Sequence, residues 1–344
     1  MISGAHSPLV DAWYQGAWWL WLLRPLEWLF RSVTAMRRLA YSTGLLAVYR
    51  APVPVVIVGN ITVGGTGKTP VTIALCNALQ GQGFRVGVVS RGYGARSGVF
   101  PHRVSEHSSP ADCGDEALLV LRRTGCTCVV SPDRSQAMQA LLAYDKHIDV
   151  ILSDDGLQHY GIARDFEVAL LDARRLTGNG FCLPAGPLRE PISRLNSVDQ
   201  VLLRGEDQVE GEGQAPRECI AGERHGAIVR YILTDCWALA DGVVHALSPE
   251  ALGQHVYAVA GIGQPEQFFT QLQDLGFLLE RRPFADHHPF EAADFQAMRD
   301  LPILMTEKDA VKCAGLAGER AYAVRLQAQV PDALVSRLVR LLKH

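Results

Sequence analysis

The strongest chemical signal lies in "VPVVIVGNITVGGTGKTPVTIALCNAL", Val53 to Leu79, where Gly64, Gly65, Thr66 and Gly67 stand directly before Lys68 and Thr69. Glycines let backbone N–H groups turn inward around a phosphate, and the amino end of a following helix adds its dipole. This spacing assigns Lys68 to β- and γ-phosphates and the Thr69 hydroxyl to magnesium. The common loop GxxxxGK[ST] asks for glycine where this chain has Thr62, so the match is to a GGxGKT variant. Magnesium also needs carboxylates at the end of a neighbouring strand. "DVILSDDGLQH" supplies Asp154 and Asp155 after a hydrophobic run. Asp154 lies in line with the strand and Asp155 turns towards the substrate side; an Asp pair also caps turns, and which of the two meets metal directly stays open. Gln158 and His159 follow, placed to orient substrate or a metal-bound water, or to serve as structure.

Three protein classes share this machinery: nucleotide switches, partitioning-type ATPases that dimerise on their nucleotide, and kinases. A GTPase usually reads guanine with N/T-K-x-D, but in "TEKD", Thr306 to Asp309, Lys308 stands one place late. Partitioning ATPases carry a lysine just before the double glycine, and here that position is Val63. A kinase instead needs a base for the acceptor hydroxyl, cations for the transferring phosphoryl group, and a means of closing out water. Such groups are present: Asp115 and Glu116 in "CGDEALL", Arg91 and Tyr93 in "SRGYG", Arg189 in "PAGPLREP" and His287 in "FADHHPF". Arg189 would stabilise charge on the phosphoryl group. Arg91 and Tyr93 would hold a sugar or lipid phosphate, or simply form a turn with Gly92 and Gly94. In "TEKDAVK", capping accounts for Thr306 and Glu307 at the start of a helix.

These groups need a sheet edge to converge on. β-branched runs alternate with helical patterns, which predicts a mostly parallel α/β sheet flanked by helices, of the P-loop NTPase kind. Strands are predicted over Val55–Val58, Val86–Ser90, Cys128–Ser131, Val150–Ser153, Val168–Leu171 and Gln200–Leu203, with the site at their carboxyl ends. Hydrophobic periodicity breaks at Gly205 to Glu218, read as an exposed connection. A smaller α/β unit follows, with a strand at Ala227–Leu233, a helix near Pro265–Leu275 and a closing helix at Pro331–Leu342 free to pack on either part. The resulting division is 1–50, 51–225 and 226–344.

Composition narrows the classes further. Of 344 residues 48% are hydrophobic and 20% charged, enough for a large core. A net charge of -3 offers no overall basic field for nucleic acid, and no protein partner can be inferred. The eight cysteines include no CxxC pair, so reduced thiols are the simpler reading. "WYQGAWWLWLLRPLEWLF" is too interrupted to span a bilayer and lacks the basic start of a secretory signal. Tryptophans beside Arg31, Arg37 and Arg38, with Leu26, Leu29, Phe30 and Val33 on one helical face, predict a segment lying in a membrane interface or packed on the chain's own core.

Taken in order, "GNITVGGTGKTP", "SRGYG", "GDE", "SDDGLQH", "LPAGPLREP", "AGIGQPEQFF", "DHHPF" and "TEKDAVK" resemble the tetraacyldisaccharide 4'-kinases, the lipid A 4'-kinases of Gram-negative bacteria. The resemblance covers the aromatic start and Gly59 through Lys312. It implies ATP- and Mg2+-dependent phosphorylation of the 4'-hydroxyl of a tetraacylated glucosamine disaccharide 1-phosphate at the cytoplasmic face of the inner membrane. It also implies a smaller domain that closes over the nucleotide. Asp115 then stands where the family places its base, and His287 where it places that base's partner.

Overall fold

Unbroken hydrophobic runs suit strands covered on both faces. Every residue of β1 (Val55–Asn60), β2 (Val86–Ser90), β5 (Val150–Asp154) and β6 (Phe166–Asp172) is buried in the computed structural model, which describes residues 8–95, 99–205, 226–313 and 315–343. The other strands are β3 (His102–Arg103), β4 (Thr127–Val130), β7 (Gln200–Arg204), β8 (Gly226–Ala238), β9 (Val244–Ala246), β10 (His255–Ala260), β11 (Leu278–Pro283), β12 (Ile303–Thr306) and β13 (Ala321–Gln329). They form one sheet path, β11-β10-β12-β13-β8-β7-β6-β1-β5-β2-β4-β3, with β9 beside β8. β1 lies between β5 and β6, parallel to both, so its carboxyl end opens beside theirs. Strand β8 joins the two halves: Gly226–Val229 run parallel to β7, and Arg230–Ala238 antiparallel to β13. The predicted connection after Gly205 lies outside the described residues.

Helices α3 (Lys68–Gly81) and α5 (Asp115–Thr124), the latter preceded by the short α4 (Pro110–Cys113), cover one face of the first half through Val71, Leu75, Leu79 and Leu118, and α6 (Arg134–Tyr144) covers the other through Ala137, Met138 and Leu141. The closing helix Asp332–Leu342 packs on the first half, with Leu334 and Leu338 joining the α3 side of the core. Cys76 of α3 and Cys126, just ahead of β4, face each other on this side with their Cα atoms 7.8 Å apart, wider than the roughly 4.4–6.8 Å of most disulfides.

The aromatic start folds as α1 (Pro8–Gln15), a 3-10 turn at Trp18–Leu23 and α2 (Arg24–Ser42). No helix among the described residues is long and apolar enough to cross a membrane. Trp13 and Leu20 are buried, whereas Trp18 is 76% exposed, Trp21 63%, Leu22 71%, Leu26 53%, Leu29 61% and Val33 51%. The positions 26, 29, 33 and 36 repeat at helical spacing and give α2 an outward apolar stripe. Phe30, expected on that stripe, instead turns inward and packs beside the core that includes Ile57 and Ile162. It sits at the edge of the stripe, where a long aromatic side chain reaches the sheet.

Candidate active site

β1 runs two residues beyond its predicted end, to Asn60, whose Oδ1 accepts from Lys68 Nζ at 3.4 Å and whose Nδ2 donates to Thr62 Oγ1 at 3.4 Å. Gly67 caps the amino end of α3 with φ +84°. From β8 the Tyr231 hydroxyl donates to the Gly67 carbonyl at 2.7 Å, and a Cβ on Gly67 would lie 2.7 Å from that same oxygen. Only glycine permits both the dihedral and the approach. The Thr66 hydroxyl is buried without a hydrogen-bond partner among the described residues, an orphaned donor suited to an incoming oxyanion.

The two aspartates at the end of β5 have different partners. Asp154 accepts from the hydroxyls of Thr69 at 3.2 Å and Thr72 at 3.0 Å. Burial, reinforced by the charge of Glu116, raises its pKa to about 6 against the pull of Lys68. Asp155 lies 3.4 Å from Lys68 Nζ and accepts from Arg189 Nη1 at 3.2 and 3.3 Å. Burial would push its carboxyl up, but Lys68 and Arg189 outweigh that and hold it below the usual range. Among the described residues no cluster of three or more His, Cys, Asp or Glu is placed to hold a metal. The oxygen donors present, one hydroxyl and one or two carboxylates, fit magnesium carried in on a polyphosphate.

A second group meets the loop across the cleft between the halves. Gly114, at φ +84°, leads into α5 and lets the "GDE" turn pass the Tyr93 carbonyl, which a Cβ there would meet at 2.5 Å. Asp115 follows as the first helical residue, 4% exposed, and Gly114 rather than Asp115 holds the cap position. His287 arrives from the other half with its Nδ1 3.1 Å from Asp115 Oδ2. Burial pushes the Asp115 carboxyl up, yet the His287 bond and the charges of Lys308 and Lys312 leave it below the ordinary carboxylate value. The same bond raises the His287 pKa, against burial and Lys308. Lys308 Nζ stands 3.3 Å from His287 Nε2 and 3.2 Å from Glu116. With the proton on Nδ1, the neutral ring donates to Asp115 and accepts from Lys308 at once. Lys68, Glu116, Asp286 and Lys308 line one cleft.

Around the far side of the phosphate loop, Arg91 is exposed and the Tyr93 ring lies 4.9 Å from that of His287. His159 is half-buried, and burial followed by the charges of Arg134 and Arg91 lowers its pKa to about 4. The Gln158 amide nitrogen is engaged by the Asn60 carbonyl at 3.0 Å and Glu190 at 3.1 Å. Glu307, expected as a cap, instead pairs with Arg123 of α5 at 2.5 Å, while Thr306 caps its helix alone by accepting from Asp309 N–H.

Residues 19–343 match the family model described as LpxK: tetraacyldisaccharide-1-P 4'-kinase. The chain belongs to that family. It is 46% identical over 341 residues to the tetraacyldisaccharide 4'-kinase of Ectopseudomonas mendocina, covering 97% of this chain and 96% of that protein. The enzyme of that name from Methylobacillus flagellatus is 42% identical over 335 residues, covering 96% of each. The fold is similar to the crystal structure of "apo" form LpxK from Aquifex aeolicus in complex with ATP, with a TM-score of 0.76 at 29% identity, over 94% of this chain and 99% of that one. The chain is therefore an ATP-using kinase, and the switch and partitioning readings are not favoured. Within a 4'-kinase site, sequence reasoning passed over Asn60, Arg134 and Tyr231. Arg134 is 2% exposed, donates to the carbonyls of Ser131 and Asp154 at 2.9 and 3.0 Å, and leaves its Nε without a partner among the described residues. Its only local signal is the Asp133 cap before it. Asn60 stood inside a quoted motif but outside the phosphate-loop spacing.

Proposed function

We propose that this chain transfers the γ-phosphoryl group of ATP to the 4'-hydroxyl of a tetraacylated glucosamine disaccharide 1-phosphate, forming the lipid A precursor lipid IVA, at the cytoplasmic face of the bacterial inner membrane. The observation that carries the reading is the Asp115–His287 bond, whose chain neighbours Glu116 and Asp286 line the same cleft as the phosphate-loop lysine. Gly64, Gly65, Thr66 and Gly67 cradle the phosphates. Lys68 and Arg189, which both contact Asp155, move their charge onto the transferring group. Thr69 with Asp154 or Asp155 would hold magnesium brought in with the nucleotide, and the ion would supply neutralisation of phosphate charge. Asp115 accepts the proton of the 4'-hydroxyl as its oxygen bonds to the γ-phosphorus and the bond from that phosphorus to the bridging oxygen breaks to release ADP, and His287 keeps the Asp115 carboxylate in orientation. Arg91, Tyr93, Glu116, Gln158 and His159 form the substrate side. The neutral His159 orients there as a hydrogen-bonding group rather than a charge.

The units 51–225 and 226–344 close on the nucleotide, and 1–50 attaches the enzyme to the membrane surface where an acylated acceptor resides. The exposed Trp18, Trp21, Leu22 and Leu26 support that attachment. The test is an assay with γ-labelled ATP and a lipid disaccharide 1-phosphate in mixed micelles. Label is expected on the lipid; release of inorganic phosphate alone would overturn the reading.

A further inference from the structure

Membrane attachment does not account for the inner face of α2. Glu27 lies in its first turn and is 1% exposed, although its neighbours Leu26 and Trp28 face outward. Its carboxylate pairs with Arg24, lies 3.6 Å from Arg31 and accepts the Cys182 backbone N–H at 3.1 Å. Burying a carboxylate is costly unless it is paired and hydrogen-bonded, and the N–H satisfied here begins the turn that ends in Arg189. That turn closes on itself through Leu188 N–H to Phe181 O at 3.1 Å and Leu183 N–H to Leu188 O at 2.9 Å. Its far end is fastened to the start of the phosphate loop by Arg189 N–H to Ile61 O at 2.7 Å and Val63 N–H to Pro187 O at 2.8 Å. Its near end is gripped by the aromatic segment: the Arg24 guanidinium lies 4.0 Å from the Phe181 ring centre, and Trp21 meets that ring edge-on at 5.1 Å.

We propose that Glu27 is a positioning residue that, through Cys182 and Phe181, sets the 181–189 turn so that the Arg189 guanidinium faces the transferring phosphoryl group. The seating of α2 on lipid is thereby coupled to transfer, a clause that rests on the membrane reading above. The test uses full-length Glu27→Gln and Phe181→Ala, the second removing the grip of Arg24 and Trp21 on the turn while keeping the Glu27 carboxylate, so it stays informative where the first does not fold. Active sites are counted by nucleotide binding, and kcat is measured with acceptor in detergent and in anionic phosphatidylglycerol vesicles, beside vesicle co-sedimentation. The expected result is a fall in kcat of up to about 10²-fold in both media, the scale of a small misplacement of a catalytic group, with KM for ATP and vesicle binding unchanged and partial recovery in Glu27→Asp. A parental kcat per active site in either folded variant would overturn the proposal, as would a kcat lost only in vesicles and only in step with vesicle binding. A parent enzyme that does not sediment with vesicles would remove the membrane reading alone, because the detergent arm still decides the role of Glu27.

Discussion

The Asp115–His287 bond joins residues 172 positions apart and can be tested as a unit. Removing a general base typically costs about 10²–10⁴-fold in rate, which sets the expectation for Asp115→Ala. His287→Ala leaves the carboxylate in place but takes away a 3.1 Å bond to a carboxyl only 4% exposed, leaving it the Glu116 N–H at 3.0 Å and Lys312 Nζ at 4.0 Å. A hydrogen bond to a charged group is worth about 1.5–3 kcal/mol, or about 10- to 160-fold in rate at 1.36 kcal/mol per decade. The double-mutant cycle in kcat/KM for the lipid acceptor should therefore show a coupling of about 1.5–3 kcal/mol, with the double variant scarcely worse than Asp115→Ala. KM for ATP should not move. Losses that multiply, giving no coupling, would refute the paired mechanism.

The pH dependence carries a second arm of the same test. The active form of Asp115 is ionised, and its lowered pKa keeps it so below the ordinary carboxylate value of 3.8. The acid limb of kcat/KM should therefore move upward in His287→Ala, where the bond that lowers that pKa is gone. For His287 the sign is opposite: its raised pKa means the charged ring and its attraction are complete below the ordinary value of 6.5 and lost as pH rises through the higher folded value. The neutral ring still donates from Nδ1, so orientation of Asp115 survives that loss and no steep alkaline fall should trace to His287.

Lys68→Ala and Thr69→Ala should nearly abolish transfer while leaving thermal unfolding close to parental, because both side chains serve phosphate and metal rather than packing; a folded Lys68→Ala enzyme with parental turnover would remove the phosphate-loop assignment. Tyr231→Phe deletes only the hydroxyl that donates to Gly67 O at 2.7 Å, and the loss of one such bond, about 0.5–1.5 kcal/mol, should weaken ATP binding roughly two- to tenfold by calorimetry with the fold intact. Replacing the exposed Trp18, Trp21 and Leu22 together by serine should lower co-sedimentation with anionic vesicles at least tenfold, since burying each large apolar side chain is worth about 1.5–3 kcal/mol; unchanged sedimentation would show that this surface does not meet lipid.

What the sequence makes legible here is what is local in it. The glycines, Lys68 and Thr69 fall in one unbroken strand–loop–helix, and Asp154 and Asp155 end a hydrophobic run, so both could be read from spacing. The pairing of Arg189 with Asp155 depends on the placement of β1 between β5 and β6, and no spacing in the chain encodes that order. The same limit explains Glu307. A Thr-x-x-Asp pattern does cap that helix, but Arg123, 184 residues away, takes the glutamate for a contact between the halves. It explains Tyr231 as well, since β8 reads as a strand of the second unit alone until its opposite edge pairs with β7.

Two positions show why even a correctly named residue is only half understood from its letter. Asp155 has φ +50° and His287 φ +59°, left-handed conformations that a turn would normally give to glycine. Each costs of order 1–3 kcal/mol and persists only where the surroundings over-determine it. Those surroundings are Lys68 and Arg189 for Asp155, and Asp115 and Lys308 for His287. Glycine would relieve the backbone at either place but would carry no carboxylate to hold two cations and no imidazole to hold a base. The strain and the side-chain contacts therefore belong to one requirement: both residues must present a functional group from a turn that the backbone alone would not choose.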